Sequence, residues 1–287
     1  VIAMIKRILV ALDPDEDTPI ATQYALRLAK RFNASLTGLA VIDTSNLRSV
    51  IGVGGYGTEA IGREMWLEMT EETKEVAEML LRKFENDALK ANVKHQKVKK
   101  QGSSDEMILE ESKYHDMLVV GRDSRFFYNE PEKDTGTLAK VVKGGVAPTL
   151  VVTHEYSDVE KLLIAFDGSA AAARSLKSFV HLLPYGKDLD MELVYVTVNE
   201  REEDENRAMA ILKQAESYLH EHHFSYVTKH LLSGKKPAEK ILEIQHLKKP
   251  DLVVLGAHSV SAIRRAAFGS TTHRMITESE GPLFLSP

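Results

Sequence analysis

The chain of 287 residues contains no cysteine, and this absence excludes several kinds of chemistry at once. Disulfides, thiolate zinc sites, iron–sulfur clusters and cysteine nucleophiles all require that residue. Long apolar runs are also lacking. No stretch approaches the roughly 18–20 apolar residues that a membrane-spanning helix needs. We therefore expect no membrane partner.

An excess of basic residues is missing as well, since 37 lysines and arginines face 42 acidic residues and the net charge is −5. A nucleic-acid-binding protein needs a basic face, so we expect no nucleic-acid partner. The first apolar residues are interrupted by Lys6 and Arg7, which is unlike a secretory signal. We therefore expect a cytoplasmic protein.

The sequence repeats itself. Three segments of the first half recur in the same order in the second half, 6–13 as 161–167, 116–121 as 251–256, and 147–152 as 281–286. The spacing between the first two segments is about twenty residues longer in the first copy, which indicates a glycine-rich insert near residues 44–61. We therefore predict two copies of one domain, at residues 1–155 and 158–287.

Within each copy, short apolar runs alternate with helical patterns. The continuous run at residues 8–12 predicts a strand buried on both faces, and Thr18-Pro19 predicts the N-cap of the helix that follows. The more polar segment Val93–Lys100 predicts an edge strand. Strands that alternate with helices form parallel sheets with right-handed crossovers. Each copy is therefore predicted to be a doubly wound α/β domain.

In such a sheet a ligand binds beyond the carboxyl ends of the strands, where the strand order reverses. Asp13 and Asp167 follow the first strands, and Gly121 and Gly256 follow the fourth strands. In the second copy, Gly269-Ser270-Thr271-Thr272 then begins a helix, whose N-terminus can hold an anion. The same residues are common in turns and helix caps, and Asp167 could simply cap the helix near Ser169.

This arrangement resembles the universal stress protein family. The resemblance rests on the aspartate after strand one, the valine-rich strand two and the Gly-x-x-Gly-x9-Gly-(Ser/Thr) stretch after strand four, and it covers nearly the whole chain. It implies two five-stranded, Rossmann-like domains of the HUP type. It further implies that the fifth strands pair within the chain at residues 151–152 and 284–285 as an internal pseudo-dimer, which could form a homo-oligomer.

The resemblance also implies the ligand, which in this family is ATP or AMP, with Mg²⁺ accompanying the triphosphate. Carried onto the second copy, it places adenine between Asp167 and the strand at Thr197 and Val198. The residues implied for ribose and phosphates are Gly256, His258, Ser259, Gly269, Ser270 and Thr271. Ser259 stands where the motif has its second glycine, which blocks binding only if that position needs a positive φ.

The first copy departs further from the motif. Asp13 and Val41 match its adenine end, while Gly121, Gly136 and Thr137 match the ribose and phosphate stretch. The segment between Gly121 and Gly136 is longer than the motif allows and carries several carboxylates, which would repel phosphate. We therefore expect an altered site in this copy, which could take another ligand.

The resemblance implies a nucleotide-binding protein with a regulatory, stress-response role. We expect no catalytic residues, because no acidic residue lies between Gly256 and Thr277. A slow ATPase, an enzyme for a small ligand of the first copy, and a nucleotide-free scaffold remain alternatives. The Gly-x-Gly-x-x-Gly match at residues 52–57 follows the wrong strand for a dinucleotide loop, and we interpret it as part of an insert or lid. The histidines at 220–223 are interpreted as a helix end rather than a metal site.

Overall fold

The computed structural model describes residues 5–43, 59–122, 136–182, 184–199, 201–257 and 270–287. In the order of the chain, the strands are β1 (Arg7–Leu12), β2 (Ser35–Asp43), β3 (His95–Gly102), β4 (Met117–Gly121), β5 (Thr149–Val152), β6 (Lys161–Ala165), β7 (Asp190–Thr197), β8 (Tyr226–Ser233), β9 (Leu252–Gly256) and β10 (Leu283–Ser286). The helices are α1 (Asp17–Phe32), α2 (Glu59–Lys90), α3 (Ser104–Ser112), α4 (Gly136–Gly144), α5 (Ala170–Leu182), α6 (Glu202–Glu221), α7 (Pro237–Lys248) and α8 (Ser270–Glu278).

Within the described residues, the ten strands belong to one sheet in the order β3-β2-β1-β4-β5-β10-β9-β6-β7-β8. Each half has the doubly wound parallel order predicted from the sequence, with β3 and β8 at the outer edges. The two halves meet at β5 and β10, which pair antiparallel, with Phe284 opposite Leu150. The last strands of the two copies are thus joined edge to edge within one chain.

The same backbone contacts recur in both copies. In each, one aspartate side chain accepts hydrogen bonds from two backbone N–H groups at the start of the first strand. In the first copy Asp116 accepts them from Lys6 and Arg7 at 2.7 and 2.9 Å, and in the second Asp251 accepts them from Glu160 and Lys161 at 3.0 and 2.9 Å. These aspartates open the repeated 116–121 and 251–256 segments, so the repeat preserves a structural contact there.

The hydrophobic core lies in two layers, one on each face of the sheet. Successive side chains of a strand point to opposite faces. Accordingly, Ile8 and Val10 of β1 pack in one layer, while Leu9 and Ala11 pack in the other. The first layer continues across the junction of the copies, where Phe284 is fully buried and its ring lies 5.4 Å from the ring of Phe179. The two domains therefore share a core.

One detail of the first copy differs from the prediction. Helix α1 begins at Asp17, and Thr18 lies inside its first turn. The Thr18 side-chain oxygen accepts the backbone N–H of Asp13 at 2.9 Å, so it satisfies the end of the preceding strand rather than the helix. Among the described helices, none is both long and apolar enough to cross a membrane.

Candidate functional site

A cleft of about 430 Å³ opens at the carboxyl ends of β6, β7 and β9. This is the edge where the strand order of the second domain reverses, because β6 lies between β7 and β9. The lining residues come from these strands, from the turns after β6 and β7, and from α5 to α8: Ala165, Phe166, Asp167, Ser169, Ala172, Val194, Tyr195, Val196, Thr197, Val198, Asn199, Asp204, Arg207, Pro237, Ile241, Leu255, Gly256, Thr271 and Thr272.

The cleft brings together five of the residues that the sequence predicts for the site of the second copy. Asp167, Thr197, Val198, Gly256 and Thr271 all line it, although they come from four separate segments of the chain. Ser270 is the first residue of α8. The predicted residues His258, Ser259 and Gly269 lie outside the described residues.

Asp167 lies at the mouth of the cleft on the turn between β6 and α5. Its side chain accepts the backbone N–H of Ser169 at 2.9 Å, which fixes the turn. The cap of α5 is Ser169 itself, whose hydroxyl accepts the N–H of Ala172 at 3.2 Å. Capping of α5 therefore does not require Asp167, and its exposed carboxylate is in a position to meet a ligand.

Gly256 is required by packing as well as by the predicted motif. A Cβ atom at this position would lie 2.6 Å from the backbone of both Ala171 and Ala172, so only glycine lets the first turn of α5 approach β9. The carbonyl oxygen of Gly256 accepts the hydroxyl of Thr272 at 3.0 Å. The end of β9 is thus held between the N-terminal turns of two helices, α5 and α8.

The N-terminus of α8 is the part of this cleft that suits an anion. The first N–H groups of a helix have no partner within the helix, and its dipole favours negative charge there. Thr271 adds a hydroxyl at the same point of the lining. Asp167, Asp204 and Arg207 are the charged side chains among the described lining residues, so the cleft combines carboxylates with a cation.

The corresponding edge of the first copy is different. Asp13 is 1% exposed, whereas its counterpart Asp167 is exposed. Val41 is buried within β2 and packs in the core. The strand starts are equivalent, since Ser35 and Asp190 donate backbone hydrogen bonds to Lys6 and Glu160 at 2.9 Å in each case. This alignment makes Asp43, not Val41, the counterpart of Val198.

Asp43 is a residue that the sequence analysis missed. Its buried side chain accepts the backbone N–H of Ser104 at 2.7 Å, at the start of α3. A carboxylate that ends an otherwise apolar strand was the signal that could have found it. Of the other first-copy candidates, Gly121 ends β4, Gly136 begins α4 and Thr137 is buried in that helix. Asp13 and Asp43 are therefore both buried carboxylates at this edge.

Arg122, directly after Gly121, is a second residue that the sequence analysis missed. Its guanidinium donates a hydrogen bond to the carbonyl oxygen of Ser279 at 2.7 Å, just beyond the end of α8. The start of the first-copy loop is thereby attached to the helix whose other end lines the cleft. The counterpart of Arg122 is Ala257, which follows Gly256 and cannot make this contact.

The histidine-rich segment at the end of α6 forms a ring cluster. The ring of His222 lies 4.5 Å from that of Tyr218 and 5.6 Å from that of His181. Within the described ranges, no group of three or more histidine, aspartate or glutamate side chains is arranged to hold a metal ion.

Comparison with known proteins agrees with this architecture. The sequence model of the universal stress protein family matches twice, at residues 4–152 and 158–287. The universal stress protein Slr1230 of Synechocystis is 24% identical over 290 residues, which cover 97% of this chain and 98% of that protein.

Solved structures share the fold over the same length. A universal stress protein of Archaeoglobus fulgidus superimposes with a TM-score of 0.66 and 20% identity, covering 98% of this chain and 95% of its own. A functionally unknown protein of Pseudomonas aeruginosa gives 0.60 and 14%, covering 99% and 93%. The two matched segments coincide with the two halves of the sheet, and the chain belongs to the universal stress protein family as a tandem pair of its domains.

Proposed function

We propose that this stress protein binds an adenine nucleotide, ATP or AMP, in the cleft of its second domain and that the bound nucleotide regulates its association with other molecules. The observation that carries the proposal is the convergence of Asp167, Thr197, Val198, Gly256 and Thr271 on one cleft. Its volume of about 430 Å³ falls within the range of about 300–1,000 Å³ that is usual for small-molecule sites.

The lining divides into two parts that suit the two ends of a nucleotide. Around the end of β7, Val194, Val196 and Val198 supply apolar surface next to Asp167, which suits a base. At the opposite side, Gly256 and the N-terminus of α8 supply backbone and hydroxyl groups, which suit phosphate. Mg²⁺ would neutralise part of the charge of a bound triphosphate.

A regulatory role is favoured over turnover by the residues of the cleft. General acid or base catalysis needs a titratable group next to the reacting phosphate. The carboxylates of the described lining, Asp167 and Asp204, lie on the turn after β6 and on α6, whereas the phosphate end is formed by β9 and α8. We therefore expect binding with at most slow hydrolysis.

Release of bound nucleotide from the purified protein tests the proposal directly. The protein is denatured and filtered, and the filtrate is analysed by absorbance and mass. The purified protein is also titrated with ATP, AMP and adenosine by calorimetry. We expect stoichiometric binding and a rise in melting temperature, because a ligand at a hundred times its Kd stabilises the folded state by about 2.7 kcal/mol. An empty filtrate together with no heat of binding would reject the proposal.

A variant at the phosphate end separates this site from any other on the protein. Thr271→Glu places a negative charge at the N-terminus of α8, where the helix dipole tolerates it but a phosphate does not. We expect the Kd for ATP to rise by about tenfold or more, with adenosine binding unchanged. Thr271→Gln, which has the same length without the charge, is the matched control. Equal ATP affinities of the two variants would place the nucleotide elsewhere.

A further inference from the structure

A second concave surface lies on the second domain, between α5 and α6. This groove has a volume of about 420 Å³. Helix α6 lines it with one face over three turns, through Arg207, Ala210, Ile211, Gln214, Ala215 and Tyr218. From Arg207 to Tyr218 this face extends about 16 Å, at 1.5 Å per residue. The floor of the groove is mostly apolar, because α5 adds Ala173 and Leu176.

The border of the groove is positively charged. Lys177 of α5 and Arg207 of α6 both line it, and no aspartate or glutamate is among its described lining residues. In the part of the chain that the structure describes, neither cation makes an ion pair with a carboxylate. A mostly apolar groove whose described lining has two cations and no carboxylate is complementary to an apolar molecule with an anionic end.

The first domain contains the equivalent groove, between α1 and α2, but there it measures only about 180 Å³. Equivalent hydrogen bonds at the C-terminal ends of α2 and α6 align these two helices. The backbone N–H of Val93 donates to the carbonyl oxygen of Ala88, and that of Phe224 donates to the carbonyl oxygen of Leu219, both at 3.0 Å. Counting back from these ends, Met79 and Phe84 of α2 occupy the positions of Ala210 and Ala215. These larger side chains occupy space in the groove of the first copy that is open in the groove of the second copy.

The charge of the two grooves also differs. The groove of the first domain is lined by Asp13, Asp15 and Asp87, with Lys83 as the cation among its described lining residues. The groove of the second domain has only cations at the charged positions of its lining, Lys177 and Arg207. The same architectural feature is thus small and acidic in one copy, and large and basic in the other.

We propose that the groove between α5 and α6 is a binding site for a small amphipathic carboxylate. The apolar chain of the ligand lies along Ala210, Ile211 and Ala215, and its carboxylate pairs with Arg207 or Lys177. Phe166 and Arg207 line both this groove and the nucleotide cleft, so the two sites are neighbours. The proposal does not depend on nucleotide binding, because Ala210, Ile211 and Ala215 line the groove and not the cleft.

Calorimetric titration of the nucleotide-free protein with decanoate tests the proposal. We expect saturable binding with a stoichiometry of one. The neutral analogue 1-decanol should bind about tenfold or more weakly, because it lacks the charge-assisted hydrogen bond. Acetate, which lacks the chain, should give no saturable heat. Equal affinities for decanoate and 1-decanol, or binding of many decanoate molecules without saturation, would overturn it.

Two variants and their matched controls locate the site. Ala210→Met introduces the methionine that the first copy has at this position. Because Ala210 is exposed, we expect the fold to be retained while the methionine side chain fills the groove. Ser217→Met, on the same helix but outside the groove, is the control. Arg207→Gln removes one bordering cation, with Lys213→Gln as its control. We expect at least a tenfold loss of decanoate affinity for each groove variant and no change for either control. Similar losses in variants and controls, or none in either groove variant, would contradict the site.

Discussion

The two domains have the same strand order and the same backbone contacts, but their ligand edges have diverged. In the second domain, Asp167 is exposed at an open cleft, whereas Asp13 of the first domain is almost fully buried. Asp43 adds a second buried carboxylate where the second domain has the exposed Val198. The two copies therefore keep the same sheet while the residues at its ligand edge differ in burial and charge.

The cores of the two domains have exchanged large and small residues. In the first copy, a Cβ at Gly38 would lie 2.5 Å from the ring of Phe84. The equivalent pair in the second copy is Leu193 and Ala215, with the large side chain on the strand instead of the helix. Both arrangements keep the strand and helix in contact, because interiors are close-packed and the total volume is what must be conserved.

The largest expected effect on the free energy of unfolding comes from substitutions at Gly38 and Phe84. Phe84→Ala should destabilise the protein by about 3–5 kcal/mol in urea denaturation, because it leaves a cavity above Gly38. Gly38→Leu alone should destabilise by overpacking. The double variant, which installs the pair of the second copy, should recover about 2 kcal/mol or more relative to the sum of the single effects. Strict additivity would show that the two pairs are not equivalent.

Substitution of Gly256 should lower the free energy of unfolding by nearly as much. Gly256→Ala places a Cβ 2.6 Å from the backbone of Ala171 and Ala172, which cannot move without displacing α5. We expect a loss of about 3 kcal/mol in the free energy of unfolding. Gly281→Ala is the control, since its nearest neighbour would be 3.7 Å away, and should cost less than 1 kcal/mol by the same approximate scale. Similar costs at both glycines would remove the packing argument for Gly256.

A buried glutamate makes the second domain sensitive to acid. Burial raises the pKa of Glu192, but hydrogen bonds from His230 and Lys248 outweigh it and hold that pKa below its ordinary value of 4.5. A lowered carboxylate pKa stabilises the fold above the unfolded pKa, and this stabilisation is lost as pH falls through the folded pKa. The corresponding residue in the first domain is Thr37, which does not titrate.

Glu192→Gln should therefore lower the free energy of unfolding by about 2 kcal/mol at pH 7, because the lysine and histidine partners lose their anion. The difference from the unmodified protein should shrink as pH falls below about 4.5, the ordinary pKa of the carboxyl. Urea denaturation at several pH values measures this. Glu243→Gln, at an exposed glutamate of α7, is the control and should have little effect over the same pH range. A constant effect of Glu192→Gln with pH would contradict the assignment.

The smallest expected effect concerns the contact between the copies. Arg122→Ala installs the residue that the second copy has at this position and removes the hydrogen bond to the Ser279 carbonyl. We expect a loss of about 1 kcal/mol in urea denaturation. Faster hydrogen exchange at the end of α8 should accompany it, since that end loses a tertiary contact. Unchanged exchange there would show that Arg122 does not hold the helix.

The sequence was sufficient for the parts of the fold that depend on repetition and periodicity. Continuous apolar runs such as 8–12 gave the buried strands, and the polar segment Val93–Lys100 gave the edge strand β3. The positions of Asp167 and Gly256 around one cleft followed from the rule for parallel sheets, and that of Thr197 followed from the family resemblance. These features are local, or are fixed by topology, so a linear pattern predicts them.

Other features depend on contacts between distant residues and leave no linear pattern. Arg122 reaches a carbonyl 157 positions away in the sequence, and nothing near it indicates that partner. The burial of Asp13 also could not be read from its neighbours, because the similar sequence around Asp167 leaves that side chain exposed. The role of Thr18 was misassigned for the same reason. A threonine before a proline is typical of an N-cap, but the Thr18 side chain instead accepts the backbone N–H of Asp13 after β1.

The antiparallel pairing of β5 with β10 has an evolutionary consequence. In a symmetric homodimer every substitution appears twice, once in each subunit, and both sites change together. Here the equivalent strands belong to one chain, and the covalent connection maintains a high effective concentration of each half for the other. A substitution therefore acts once, and a mutation that weakens the junction is tolerated more easily. Within one chain, the ligand edge of one half can therefore change without a matching change in the other half.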